Sequence, residues 1–295
     1  KRIAQAKNIV LFIGSGAANA SRQLMTFIER SGATFITGPM DKGWVNEHHP
    51  QYRGVYGFAG HTSAHDLLSS DEVDLILAIG TPLHELETNG WQQDLLNTKL
   101  VHIDASIEHF TRSSMARLQV YGNIANVFER LLKELDTLNY WHQKPPSPVE
   151  KALCDSAPAR AHFSALEQSA ACISNRMPIK PQRLMHSLNK FLPCDTRIFI
   201  DAGNAWAWAT HYLNSSNDKG HYRIAMGFGS MTWSIGAAIG SAVGNPEAAT
   251  LCIVGDGSYL MCAQEITVAV QQELPIVFLI LNDSAMGMVM HGQQL

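Results

Sequence analysis

Thr250-Leu251-Cys252-Ile253-Val254 runs without a polar break into Gly255-Asp256-Gly257-Ser258. A short apolar run without alternation reads as a strand buried on both faces, as in a parallel sheet. Its Gly-rich tail opens a helix-compatible stretch over residues 259–273, and a second apolar run, 275–281, leads into Asn282-Asp283. The same figure recurs upstream. Residues 8–13 lead into Gly14-Ser15-Gly16, residues 73–79 into Gly80-Thr81-Pro82, residues 100–103 into Asp104, and residues 197–200 into Asp201-Ala202-Gly203. Helix-compatible stretches such as 18–31 and 124–138 separate these runs. Strand, polar turn, helix and strand in repetition is the α/β doubly wound pattern. Ligands of such folds bind just beyond the carboxyl ends of the strands, where these Gly and Asp tails fall.

The 295 residues suggest two domains at roughly 100–200 residues each. The pattern lapses once, at Gln143-Lys144-Pro145-Pro146-Ser147-Pro148, a Pro-rich stretch that reads as an extended linker. Residues 149–176 are helix-compatible, and 179–192 resembles the opening helix of a second α/β unit. The expected organisation is therefore a first doubly wound parallel-sheet domain over 1–142, a linker over 143–178 and a second over 179–295. Hydrophobic residues make up 46% of the chain and charged residues 16%, against about 25% in ordinary proteins, which excludes disorder. A net charge of −4 provides no basic field for nucleic acid or an anionic membrane. No apolar run reaches the ~18–20 residues of a membrane span. Five scattered cysteines without CxxC spacing point to a reducing, cytoplasmic compartment, with Cys252 and Cys262 read as buried thiols.

Gly14-Ser15-Gly16-Ala17 follows a strand and invites a dinucleotide reading. It lacks the third Gly of GxGxxG, and the next strand, 33–37, ends without an acidic ribose binder, so glycines that permit a tight turn are the favoured reading. Gly255-Asp256-Gly257 differs in its surroundings. If the two flanking strands are parallel neighbours, Asp256 and Asp283 stand side by side at their carboxyl ends. Two hard oxygen ligands beside backbone N–H groups suit Mg²⁺ carrying a phosphorylated ligand. The alternative is two turn-forming aspartates, one of them capping a helix. Of the 13 histidines, seven in the first domain (His48, His49, His61, His65, His84, His102 and His109) lack metal-like spacing and read mostly as surface or loop residues. Ser258 has no GxSxG context for a serine hydrolase.

Gly255-Asp256-Gly257-Ser258, then Glu265, Ala269, Leu274-Pro275 and Asn282-Asp283 with Gly287-Met288-Val289, resembles the motif of thiamine-diphosphate (ThDP) enzymes, in particular their acetolactate synthase-like branch. Residues 229–240 are similar to the family's loop and small-residue helix before that motif. Asp201-Ala202-Gly203-Asn204 is similar to the loop after the first strand of its cofactor-binding domain. Ile13-Gly14-Ser15-Gly16, Asp41-Lys42-Gly43, residues 74–80, Ile103-Asp104 and Gly122-Asn123 resemble its central domain.

The resemblance implies that Asp256 and Asp283 bind Mg²⁺ through their side chains, with the carbonyl of Ala285 as a third ligand. It implies that Gly257 and Ser258 donate to the diphosphate while Gly203-Asn204-Ala205 and Met286-Gly287-Met288 close around it. Met231, in Gly229-Ser230-Met231, would line the cofactor beneath its bend with its carbonyl facing the aminopyrimidine; core filling is the alternative for Met231 and the favoured reading for Met261. The implied chemistry is attack of a cofactor ylid on a 2-oxo acid such as pyruvate, loss of CO₂ and transfer of the two-carbon unit to a second 2-oxo acid. A related ThDP lyase, an acyl-CoA decarboxylase or a non-catalytic nucleotide-binding relative are the alternatives.

This sequence departs from the family at Asp283, where the second Asn is usual, and at Gly292, where the anabolic enzymes carry a Trp. Those enzymes hold a structural FAD in the central domain; nothing around residues 80–91 argues for it here. The activating Glu belongs to a pyrimidine domain not recognised in these residues. The chain is therefore expected to be a piece of a longer, homodimeric or homotetrameric enzyme, inactive alone and with its second domain cut short.

Overall fold

The computed structural model describes residues 2–143, 166–215 and 218–294. Most of the Pro-rich stretch and of the helix-compatible segment after it, residues 144–165, lies outside the described residues. The chain forms two compact units, Lys1–Glu167 and Gln168–Leu295.

In the first unit six parallel strands stand in the order β3-β2-β1-β4-β5-β6. They are β1 Ile9–Ile13, β2 Thr34–Thr37, β3 Tyr52–Val55, β4 Leu75–Ile79, β5 Leu100–Asp104 and β6 Leu118–Tyr121. Every residue of β1 and β4 is buried. Side-chain alternation divides them between two cores: Ile9, Leu11, Ile13, Leu75, Leu77 and Ile79 face one layer, Val10, Phe12, Ile76 and Ala78 the other. On the first face the helices Ser21–Ser31 and Ile124–Thr137 meet through Phe27 and Phe128, whose rings sit edge to face at 5.7 Å. Asn123 caps the second helix by accepting from the Asn126 N–H at 3.1 Å, and Gly32 (φ +67°) ends the first in a left-handed turn. The winding reverses between β1 and β4, so their carboxyl ends form a topological switch point.

The glycines at that switch point join two backbones. The Gly14 and Gly16 N–H groups donate to the carbonyls of Ile79 and Gly80, both at 2.9 Å. A Cβ at Gly14 would lie 2.3 Å from the Gly80 oxygen, and one at Gly80 (φ +62°) 2.4 Å from the Ala17 nitrogen. The tight-turn reading of Gly14-Ser15-Gly16 accounts for this geometry. Two histidines read as surface or loop residues are instead buried: His102 bridges Ser113 and the Thr81 carbonyl (2.8 and 3.0 Å), and His61 Nδ1 accepts from the Val55 N–H. These backbone and hydroxyl hydrogen bonds replace water around the buried rings.

The second unit carries four parallel strands in the order β10-β9-β7-β8: β7 Arg197–Ile200, β8 Tyr222–Ile224, β9 Thr250–Gly255 and β10 Ile276–Leu281. β9 is central and pairs Thr250–Ile253 with Arg197–Ile200 and Thr250–Gly255 with Ile276–Leu281. Asp201, Asp256 and Asp283 therefore emerge at the same end of neighbouring strands. The helix expected over 259–273 is interrupted. It runs Asp256–Cys262, passes through a 3₁₀ turn at Ala263–Glu265 after Cys262 leaves helical geometry (φ −138°, ψ 25°), and resumes at Ile266–Gln271. β10 reads as buried on both faces, yet Val277 is 64% and Ile280 39% exposed, because the strand stands at the edge of the described sheet. Met261, read as core filling, is half-exposed, and Cys262 is only partly buried, whereas Cys252 is fully buried.

Gly80→Ala should lower unfolding free energy by about 2–4 kcal/mol, since it combines positive φ with a backbone clash. Gly240→Ala, in the Trp233–Gly244 helix with open space at its Cβ, should instead raise it by about 0.5–1 kcal/mol. Urea midpoints of the two variants against the parent check both signs.

Candidate functional site

The site in the second unit is built on Asp201, fully buried one residue after β7. Its Oδ1 accepts from the backbone N–H of Ala202 (2.8 Å) and Thr232 (2.8 Å) and from the Ser258 hydroxyl (3.1 Å). Its Oδ2 accepts from the N–H and the hydroxyl of Ser234 (3.0 and 2.6 Å). One carboxylate thus ties the end of β7 to the loop before the Trp233–Gly244 helix and to the first turn after β9. Behind it, the Cys252 Sγ lies 3.3 Å from the Ser234 hydroxyl, and burial, with the nearby Asp201 charge, pushes its thiol up to about 11. Sequence reading placed Asp201 in a motif but gave it no role. The available signal was an aspartate directly after a buried strand.

Around this anchor the expected residues converge. Asp256 Oδ1 accepts from the Gly257 N–H (3.0 Å) and Oδ2 from the Ser284 N–H (2.9 Å), which joins the β9 and β10 loops through one carboxylate. Asp283 Oδ1 accepts from the Ala285 N–H at 3.1 Å. A Cβ at Gly287 would lie 2.5 Å from both Asn204 Nδ2 and Asp283 Oδ2, so those two side chains meet over Gly287. A Cβ at Gly257 would lie 2.8 Å from Met286 Sδ and 3.5 Å from Met231 Cε. Gly203 (φ +115°) caps the Asn204–Tyr212 helix, and a Cβ there would enter open space. Two non-glycine residues at the rim take left-handed backbone, Thr232 (φ +77°) and Ser284 (φ +57°). Strain of this kind persists where surrounding contacts over-determine it, and it clusters at binding sites.

The other expected residues have different stations. Ala205 is buried in the first turn of the Asn204–Tyr212 helix, Ser230 is exposed beside Gly229, and Met288 is part-buried in the Gly287–Gln293 helix. The Ser258 hydroxyl is committed to Asp201, which leaves its backbone N–H for any anion. Gly229 (φ +73°) lies against the Trp206 ring, where a Cβ would come within 3.2 Å. Among the described residues no three or more His, Cys, Asp or Glu side chains gather to hold a metal. The expected set, two carboxylates and one carbonyl, needs fewer.

A family model described as thiamine pyrophosphate enzyme, central domain, matches residues 1–131, and one described as the C-terminal TPP binding domain of these enzymes matches residues 201–295. The chain belongs to the thiamine pyrophosphate enzyme family. It is 28% identical over 303 residues to the acetolactate synthase large subunit of Haemophilus influenzae, covering 100% of this chain and 50% of that protein. It is 26% identical over 304 residues to a probable acetolactate synthase large subunit of Methanococcus aeolicus, again 100% and 50%. Isozyme 1 of Escherichia coli is 26% identical over 298 residues, 98% of this chain and 48% of the relative. The chain spans about half the length of these curated relatives. Among the described residues no helix is long and apolar enough to cross a membrane.

The switch-point turn of the first unit does not fit a dinucleotide phosphate. The Ser15 N–H donates at 2.7 Å to Asp41 Oδ1, so a carboxylate of the chain already takes the place of an anion there. Asp41 is 1% exposed, and burial pushes its carboxyl up to about 6 against hydrogen bonds from Ser15 and Gly38. Glu87 is equally buried and accepts from the Thr81 hydroxyl (3.2 Å) and the His84 N–H (3.1 Å). Burial, then the charge of Asp41, pushes Glu87 up to about 8. FAD phosphates at this turn would meet a second negative group rather than an open N–H.

Asp201→Ala should cost about 3–5 kcal/mol, since it leaves two hydroxyls and three backbone N–H groups without their acceptor. Thermal unfolding reads the loss. For the Asp41–Glu87 pair the folded pKa values are raised, so its contribution to stability is full below about pH 4 and is lost as pH rises toward 8. Glu87→Gln keeps the acceptor and removes the titration. It should recover on the order of 2 kcal/mol at pH 8.5 relative to its effect at pH 4, read from urea midpoints at the two pH values.

Proposed function

We propose that this chain is part of a ThDP- and Mg²⁺-dependent carboligase or decarboxylase of the acetolactate synthase type, acting on 2-oxo acids such as pyruvate. In this reading residues 1–142 form the central domain and residues 179–295 the cofactor-binding domain. The observation that carries it is the convergence of Asp256, Asp283, Asn204 and Gly287 at the carboxyl ends of β9, β10 and β7, in a chain of the thiamine pyrophosphate enzyme family.

The donor set fits the cofactor and its metal. Asp256 and Asp283 offer hard carboxylate oxygens on adjacent loops, and the Ala285 carbonyl belongs to the same loop as Asp283. Mg²⁺ takes one or two carboxylates and fills its octahedron with phosphate oxygens and water. The backbone N–H groups of Gly257 and Ser258 and the Asn204 side chain would hold the diphosphate, and glycine at 203, 257 and 287 keeps the backbone thin where the ligand approaches. Met231 and Met286 lie against Gly257 and would give that wall of the site an apolar, polarizable surface. The bound cofactor supplies a nucleophilic carbon and an electron sink for the bond cleaved in decarboxylation.

Asp283 in place of the usual Asn places a further negative charge beside the diphosphate. That charge makes retention of the cofactor lean harder on the metal. The Glu that activates the cofactor ring comes, in this reading, from another part of the protein, in a homodimer or homotetramer.

Asp256→Ala should abolish Mg²⁺-dependent retention of ThDP, measured by calorimetry with and without EDTA on the longest available form of the protein. Asp283→Asn should preserve retention and lower the Mg²⁺ concentration needed for it. Unchanged retention in Asp256→Ala would overturn the metal assignment. Acetolactate formed from pyruvate is the product that tests the reaction.

A further inference from the structure

The opposite end of the second sheet carries a cavity that the thiamine site does not use. It encloses about 180 Å³ and is lined by Arg197, Phe199, Lys219, Gly220, His221 and Arg223. Strand geometry explains the gathering. Arg197 and Phe199 are two apart on β7 and share a face, and the parallel register sets Phe199 opposite Arg223, with His221 two residues before it. The Trp233–Gly244 helix covers β7 on this face, through Ser241 against Arg197 and Trp233 against Phe199 at 6.2 Å between ring centres. β8 is the edge strand beside it.

Cationic residues on an edge strand often serve only to block pairing with another sheet. Two features here go beyond that role. Arg197 stands on an inner strand, and its Nη1 donates to the Ser241 carbonyl and hydroxyl (3.2 and 3.1 Å), which fixes the plane of the guanidinium beside the cavity. The cationic groups also line one and the same cavity. Burial and then the charges of Arg197, Lys219 and Arg223 hold His221 below the usual histidine range, opposed by Asp195. Asp195 is exposed and lies 3.3 Å from Lys219 Nζ. A concave surface that collects two guanidiniums and an ammonium around an aromatic floor is complementary to an anion with several oxygens.

We propose that this cavity is a binding site for a small multivalent oxyanion, a molecule carrying phosphate or carboxylate groups, distinct from the diphosphate site at the other end of the sheet. Arg197 and Arg223 grip the oxygens, Lys219, beside Asp195, adds a charge at the mouth, and Phe199 supports the apolar part of the ligand.

The test is calorimetric titration of the full chain with inorganic pyrophosphate and, separately, with citrate, in EDTA and about 0.15 M salt. Saturable binding at one site by either probe is expected, and the better probe tells phosphate from carboxylate as the preferred chemistry. Arg223→Gln and the surface variant Lys219→Gln should each weaken it, the first by at least about tenfold, while Asp256→Ala leaves it unchanged. Melting curves establish that the variants are folded, and Lys219, on the exposed rim, keeps the test sound if Arg223→Gln unfolds. No saturable binding, binding indifferent to both substitutions, or binding lost in Asp256→Ala would each overturn the proposal; the last would place the anion at the thiamine site instead.

Discussion

The buried carboxylate of Asp201 is the constraint around which the candidate thiamine site is arranged. A charge removed from water costs several kcal/mol unless its oxygens are satisfied. Here the partners are neutral: three backbone N–H groups and two hydroxyls. Because those donors come from three separate stretches of chain, their positions cannot be chosen independently. Thr232 and Ser234 are drawn to the end of β7, which sets Met231 against Gly257. Ser258 is drawn the same way, which fixes the first turn after β9 and with it the direction of Asp256. Asp256 then reaches across to the Ser284 N–H and holds the β10 loop. The order of dependence runs from Asp201 to Asp256 to Asp283.

That order gives a reason for the backbone strain at the rim. Thr232 is β-branched and adopts φ +77°, a conformation such residues avoid. The left-handed turn aims its N–H at Asp201 and lets Ser234 follow two residues later with both of its donors. Ser284, at φ +57°, turns its N–H onto Asp256 in the same manner. In both cases a hydrogen bond to a carboxylate opposes the cost of the turn.

The sequence was most legible where a strand is central. The runs that became β1, β4, β5, β7 and β9 are continuous and apolar because both faces of such strands are covered. The unrecognised strands, β3, β6 and β8, are all at sheet edges. Tyr222-Arg223-Ile224 alternates buried and exposed, and Leu118-Gln119-Val120-Tyr121 is largely exposed. Tyr52-Arg53-Gly54-Val55, though mostly buried, is broken by a charge and a glycine, so none of the three reads as a continuous apolar run. β10 is the converse, an apolar run with a central strand's sequence at the edge of the described sheet. Within the site, Asp256, Asp283 and the glycines were legible because each ends a strand or a motif. The convergence of Asn204 with Asp283 over Gly287, and of the serines on Asp201, was not. Those contacts depend on the parallel register of three strands, and no local pattern encodes it.

The two units show why a shared architecture does not determine a shared ligand. Both place small residues and an aspartate beyond the carboxyl ends of parallel strands, where α/β sheets bind their ligands. In the second unit the aspartate that fills the interior, Asp201, is satisfied entirely by neighbouring loops, and the next carboxylates, Asp256 and Asp283, remain at the rim. In the first unit the buried aspartate, Asp41, takes the Ser15 N–H of the Gly-rich turn. Its other oxygen, Oδ2, has no hydrogen-bond partner among the described residues, and Glu87 beside it is driven toward its neutral form. A bound phosphate at this turn would have to displace an internal anion and add charge next to a pair already short of counter-charge. The difference lies in which loop reaches the strand ends first, a property of residues 38–41 and 80–87 rather than of the sheet.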